Sequence, residues 1–146
     1  MRPQQSNRNR ISTILILFVT LNIIGDVGNV AFWWASPDSR TLSLNTGYIG
    51  NAVGADYALI AGTVILLVVA AVYAISLFGL FRKQKWGPIL VAAISIVNRV
   101  LAVFLYLLSP AFAFWAIWTV ILVAVAYLDF KKMQAPKTPT TQKQTA

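Results

Sequence analysis

The chain has 146 residues, 58% of them hydrophobic and 11% charged, with 12 basic residues against 4 acidic ones and a formal charge of +8. Soluble domains carry about one-quarter charged residues, so this composition suits a protein that lives in lipid. Cysteine, histidine and glutamate are absent and all acidic residues are aspartate, which excludes disulfides, thiol redox couples, Cys/His metal sites and Ser-His-Asp or Cys-His triads.

About 20 mainly apolar residues cross a ~30 Å hydrocarbon core, because a helix rises ~1.5 Å per residue. Residues 1–10 precede the first such stretch as a basic start that carries Arg2, Arg8 and Arg10 and reads as disordered. The first span is 11–35. A signal peptide is the alternative for this segment, but its apolar region would end after ~7–15 residues at a small-residue cleavage site. Here apolar character resumes through Val27, Val30, Phe32, Trp33 and Trp34, so an uncleaved helix is expected. Residues 36–56 follow as an external loop with Pro37, Gly47, Gly50 and Gly54. A connection of that length exceeds the usual one, and a lid, a partner-binding loop and simple slack all stay open.

The second span is 57–81. A basic connection with Arg82, Lys83 and Lys85 leads into the third, 88–108, through Trp86-Gly87-Pro88; proline is tolerated where a helix begins, since its missing N–H would be unpaired there anyway. Ser109-Pro110 then breaks the chain before the fourth span, 111–129, so spans three and four are expected as a tight antiparallel hairpin. Residues 131–146 are polar and proline-containing and read as a disordered tail. Lipid offers no partners to open backbone, so the spans must be helices. The expected fold is all-α, a four-helix transmembrane bundle over 11–130.

Charge asymmetry sets the orientation. The start, the second connection and the tail together hold Arg2, Arg8, Arg10, Arg82, Lys83, Lys85, Lys131, Lys132, Lys137 and Lys143, while Arg40 stands alone on the other side beside Asp38 and Asp56. The positive-inside rule then places both termini in the cytoplasm of a cell whose plasma membrane the chain crosses. The same accounting removes the nucleic-acid reading of a basic protein: the charges sit at helix ends, where topology and anionic headgroups explain them.

Two ionisable residues fall deep inside spans, where charges are costly and face the bundle interior or a wet cavity. Asp26 lies ~22 Å along span one from Ile11, and Arg99 ~18 Å along span three from Gly87. The difference is shorter than an arginine side chain, so the two can pair. Asn22, Asp26, Asn29 and Trp33 share one helical stripe, and Ser95, Arg99, Ala102 and Tyr106 form another with Asn98 beside it. These stripes are expected to face each other, with Gly25 and Gly28 allowing a close backbone approach. Asp56, at the outer mouth of span two, is the rival partner for Arg99. Asp129, beside Lys131 and Lys132, reads as an ordinary interface charge.

An intramembrane ion pair with asparagine hydrogen bonds orients helices and prevents misassembly, even though measured interhelical polar contacts average only about 0.6 kcal/mol. A substrate, ion or proton site is the competing meaning of the same residues. A nearby arginine opposes a cation-exchange role for the aspartate. Catalysis is disfavoured, because an aspartyl protease needs two facing aspartates and only Asp26 is deep. The several aspartates that hold divalent metal in membrane phosphotransferases are missing as well. No metal and no cofactor is expected, and an enzyme with a lipid substrate is a distant alternative. The aromatics Trp33, Trp34, Tyr57, Tyr106, Trp115 and Trp118 read mainly as an interfacial belt. Small residues at packing spacing, Ala58 with Gly62, Ala70 with Ala74 and Ala116 with Ala124, fit helix contacts within one chain or between copies.

The expected function is a small multipass membrane protein without catalytic activity, acting as an accessory or interaction subunit around a structural Asp26–Arg99 centre. Its expected partners are the bilayer, a membrane protein or further copies of itself, and no nucleic acid. The alternative is a small oligomeric transporter or channel subunit that uses Asn22, Asp26, Asn29 and Arg99 as an ion or small-solute site; four helices are thin for a pathway, which is why it would need an oligomer.

Overall fold

The structure, a computed structural model, describes residues 3–36, 54–105 and 110–134. Four helices account for nearly all of them: α1 (Pro3–Ala35), α2 (Ala55–Phe81), α3 (Trp86–Leu105) and α4 (Pro110–Gln134). Three contain stretches long and apolar enough to cross a membrane, Arg10–Ala35, Leu59–Phe81 and Phe114–Gln134, and the apolar stretch Trp86–Ala102 of α3 is shorter. Most of the 36–56 loop, the 106–109 connection and the tail from 135 onward lie outside the described residues.

Several helix ends depart from the expected bounds. α1 begins at Pro3 rather than after a disordered start, with proline where its lost donor costs nothing. α4 runs on to Gln134, and Lys131 and Lys132 in its last turn oppose the negative end of the helix dipole. α3 starts at Trp86, two residues before Pro88, which still lies in the first turn, where backbone donors have no intrahelical acceptor.

The helices pack in chain order as a ring, α1 on α2, α2 on α3, α3 on α4, and α4 back on α1 through the thinnest seam. The main core draws Leu15 and Val19 from α1, Val69, Tyr73 and Leu80 from α2, Val91 from α3, and Leu122 and Ala126 from α4. It lies toward the end of the ring that carries the α2–α3 connection. At the opposite end a second cluster, Trp33 with Leu59 and Leu66, joins only α1 and α2. Among the described residues, the main core thus joins all four helices at one end, and the second cluster joins α1 and α2 at the other. Its exterior is apolar: Leu17, Ile24, Val64, Phe78, Ile96 and Val120 are all exposed, the reverse of a water-soluble bundle.

The α2–α3 corner is shaped by two glycines. A Cβ on Gly79 would lie 2.7 Å from the Trp86 ring, and one on Gly87 would lie 2.8 Å from the Leu80 amide nitrogen and 2.9 Å from the Gly79 carbonyl carbon. Only hydrogen at these positions lets the two backbones meet. Between them the chain makes a Schellman turn, with Gln84 N–H donating to Gly79 O at 2.9 Å and Lys83 N–H to Leu80 O at 3.0 Å. Lys83 takes the left-handed conformation there, at φ 54°. The Arg82 guanidinium lies 4.2 Å from the centre of the Phe78 ring, a cation–π contact at the helix exit.

The glycines of α1 behave differently from expectation. A Cβ on Gly25 or Gly28 would meet nothing within 4 Å, so neither mediates a close approach. That role falls to Gly62, where a Cβ would sit 3.0 Å from the Trp33 ring. Trp33 is consequently a buried packing residue rather than part of an interfacial belt. Its neighbour Trp34 is exposed and donates from Nε1 to Thr63 Oγ1 at 3.1 Å. Of the expected small-residue pairs, Ala70 faces the core while Ala74 and Ala124 face outward.

Candidate functional site

Polar side chains from all four helices converge in the interior. On α2, Leu66, Val69, Tyr73, Ser76 and Leu80 are all buried and repeat at three- and four-residue intervals, which carries Tyr73 inward. Its hydroxyl lies 2.9 Å from Ser95 Oγ of α3, and Ser95 Oγ also donates to its own helix at Val91 O, 2.6 Å away. Asn98 lies on the same side of α3, close to the tyrosine hydroxyl. One turn from Ser95, the half-buried Arg99 donates from Nε to Thr119 Oγ1 of α4 at 3.2 Å, and Thr119 in turn donates to Trp115 O at 2.9 Å. Asp26 of α1 is within electrostatic reach of both Arg99 and Tyr73.

Asp26 and Arg99 come within electrostatic reach of each other, but their stripes do not face each other as expected: α1 packs on α2 and α4, so Asn22 and Asn29 look across a cavity to α4 and Trp33 packs on Gly62 of α2. Asp26 is 9% exposed, and its Oδ2 is buried without a hydrogen-bond partner. Asn22 is half-buried one turn away and donates from Nδ2 to Phe18 O at 2.8 Å; Asn29 is exposed. The carboxylate that attracts Arg99 is Asp26, whereas Asp56 sits exposed in the first turn of α2, facing the positive end of that helix. Tyr106 lies outside the described residues.

Tyr73 and Thr119 escaped the sequence reading because neither is ionisable. Tyr73 was legible as the one aromatic hydroxyl in the apolar stripe of α2. Asp129 needs a correction: it is fully buried, and its Oδ1 accepts a 2.6 Å bond from Ser12 Oγ across the α1–α4 seam. The adjacent lysines suggested an interface charge, but Asp129 shares the inward face of α4 with Trp118, Leu122 and Ala126.

Higher along the same seam lies a cavity of about 230 Å3. Asn22, Gly25, Asp26 and Asn29 of α1 form one wall and Phe114, Trp115 and Trp118 of α4 the other. Phe114, Trp115 and Asn29 are exposed, so the mouth opens on the outer surface of the ring. Below it Phe18 and Trp118 close the seam, with ring centres 4.8 Å apart at 47°. Among the described residues no three acidic side chains gather as a metal site.

An all-helical membrane protein with an internal hydrogen-bonded centre is the class that this fold defines. Comparison of the chain with family models, with curated proteins and with solved structures finds no match in any of the three.

Proposed function

We propose that the chain is a four-span protein of the plasma membrane, with both termini cytoplasmic, that performs no covalent chemistry and acts as an accessory or interaction subunit. The 20 residues of α3 extend ~30 Å, enough to cross alongside the other three helices. What carries the reading is the use made of the interior polar groups. Tyr73 bonds Ser95 between α2 and α3, Arg99 bonds Thr119 between α3 and α4, and Arg99 lies within electrostatic reach of Asp26 on α1. Such a network specifies which helix faces which in a medium where apolar contacts alone discriminate poorly. The apolar exterior is then free to meet lipid, a partner helix or a second copy.

The test compares Asp26→Asn, Arg99→Gln and the double variant for stability in bicelles and for ion or solute flux in liposomes. An interhelical polar interaction in a membrane bundle is worth about 0.6 kcal/mol on average and up to ~1.7 kcal/mol. Each single variant is therefore expected to be destabilised by that order, with the double variant recovering most of it. Loss of flux in well-folded single variants would overturn this reading in favour of the second one. That second reading, a small oligomeric transporter or channel subunit built on Asn22, Asp26, Asn29 and Arg99, is supported by the seam cavity and the unpartnered Oδ2 of Asp26.

A further inference from the structure

The α1–α4 cavity brings a carboxylate, two asparagine amides and aromatic rings together at the surface of the ring. Asp26 offers only acceptors when ionised, and Asn22, one of whose Nδ2 N–H groups is held by Phe18 O, adds its amide oxygen as a further acceptor. Trp115 and Trp118 stand on the opposite wall, and aromatic rings of this kind attract cations through their π-systems. Arg99 is not among the lining residues, and its Nε is held by Thr119. Asp26, nine-tenths buried, retains an oxygen without a donor. A buried acceptor in that state calls for a donor from elsewhere.

We propose that this cavity binds a small organic ammonium: an amine whose N–H groups reach Asp26 and Asn22 while its apolar body lies against the α4 aromatics. The proposal rests on the solute-site reading above and gives that site its ligand class. At about 230 Å3 the space is several times the ~30 Å3 that one water takes in the liquid, which suits an arylalkylamine and is too small for a whole phospholipid. Arg99 attracts the same carboxylate and weakens the wall's negative field, so binding is modest rather than tight. The outward mouth admits ligand from the bilayer side, where an amine with an aromatic body partitions.

The full chain in zwitterionic nanodiscs is titrated with phenethylammonium, with its uncharged analogue propylbenzene alongside, by equilibrium dialysis and tryptophan fluorescence. Native protein is expected to bind phenethylammonium saturably and propylbenzene at least tenfold more weakly. Asp26→Asn is expected to weaken the ammonium at least tenfold. Gly25→Leu tests the same site without touching the polar centre: a Cβ there meets nothing within 4 Å, so the helix tolerates a side chain that fills the cavity, and binding should fall by a similar factor. Absence of saturable binding to native protein overturns the proposal. So does propylbenzene binding equally well, or ammonium binding unchanged in a folded Gly25→Leu variant. Ammonium binding without flux in liposomes upholds the ligand class and ends the transport reading. Asp26-dependent flux of potassium without ammonium binding does the reverse.

Discussion

Ser12 and Asp129 lie 117 residues apart in the chain and 2.6 Å apart in space, on the two helices whose seam is thinnest. The hydroxyl supplies a donor to a fully buried carboxylate whose other oxygen has no hydrogen-bond partner. Removing that donor exposes the whole desolvation cost of the acceptor, about 1–3 kcal/mol. Ser12→Ala is therefore expected to lower the unfolding free energy by that amount in detergent titration, and Ser12→Thr, which keeps the hydroxyl, to retain most of it. Equal loss in both variants would show that the hydroxyl contributes nothing. The same reasoning explains why Asp26 and Asp129 were unequal in the sequence. Asp26 stands in an uninterrupted apolar run and advertises its depth, whereas Asp129 hides beside two lysines, and only helical periodicity with Leu122 and Ala126 betrays its inward face.

At the level of elements, the α2–α3 corner is the most tightly determined junction. The atoms that a Gly87 Cβ would strike are backbone atoms of Leu80 and Gly79, which cannot swing aside as a side-chain tip can. Gly87→Ala is expected to cost about 1–3 kcal/mol, the usual range for overpacking, and Gly28→Ala in open space is the control. The control should be neutral or gain up to ~1 kcal/mol in helix propensity. Thermal aggregation midpoints of the two variants measure the contrast, and parity between them would refute the close-approach account. Sequence alone reverses the roles of these glycines, because spacing shows that small residues are present on a helix but not which neighbour arrives opposite them. Gly25 borders the cavity beside α4 and Gly28 is exposed, while Gly62 and Gly79 receive tryptophan rings.

Over the whole molecule, the main core marks a firm end of the ring, and the cavity lies farther along the α1–α4 seam, the thinnest of the four. The proposed orientation puts the firm end, with the 82–85 connection and both termini, in the cytoplasm. The absence of cysteine makes this directly measurable with single-cysteine variants. Asn45→Cys is expected to react with a membrane-impermeant maleimide in intact cells, and Gln84→Cys and Gln142→Cys only after permeabilisation. Labelling in the opposite pattern would invert the topology, and labelling of Gln84→Cys and Asn45→Cys from one side would reduce the number of spans.

Composition and apolar run length were enough to establish a helical membrane protein, because lipid demands about 20 apolar residues per crossing and forbids open backbone. Stripe arithmetic brought Asp26 toward Arg99, since helical rise and turn are nearly invariant and convert residue number into depth and direction. Which helices are neighbours, how closely they approach and what stands opposite each stripe depend on contacts between residues far apart in the chain, and no local period encodes them. Thr119 on Arg99, Ser12 on Asp129, Tyr73 between Ser95 and Asn98, and the aromatic wall across from Asp26 all belong to that second kind. The seam cavity is walled by α1 on one side and α4 on the other, so it is a property of packing and not of either helix.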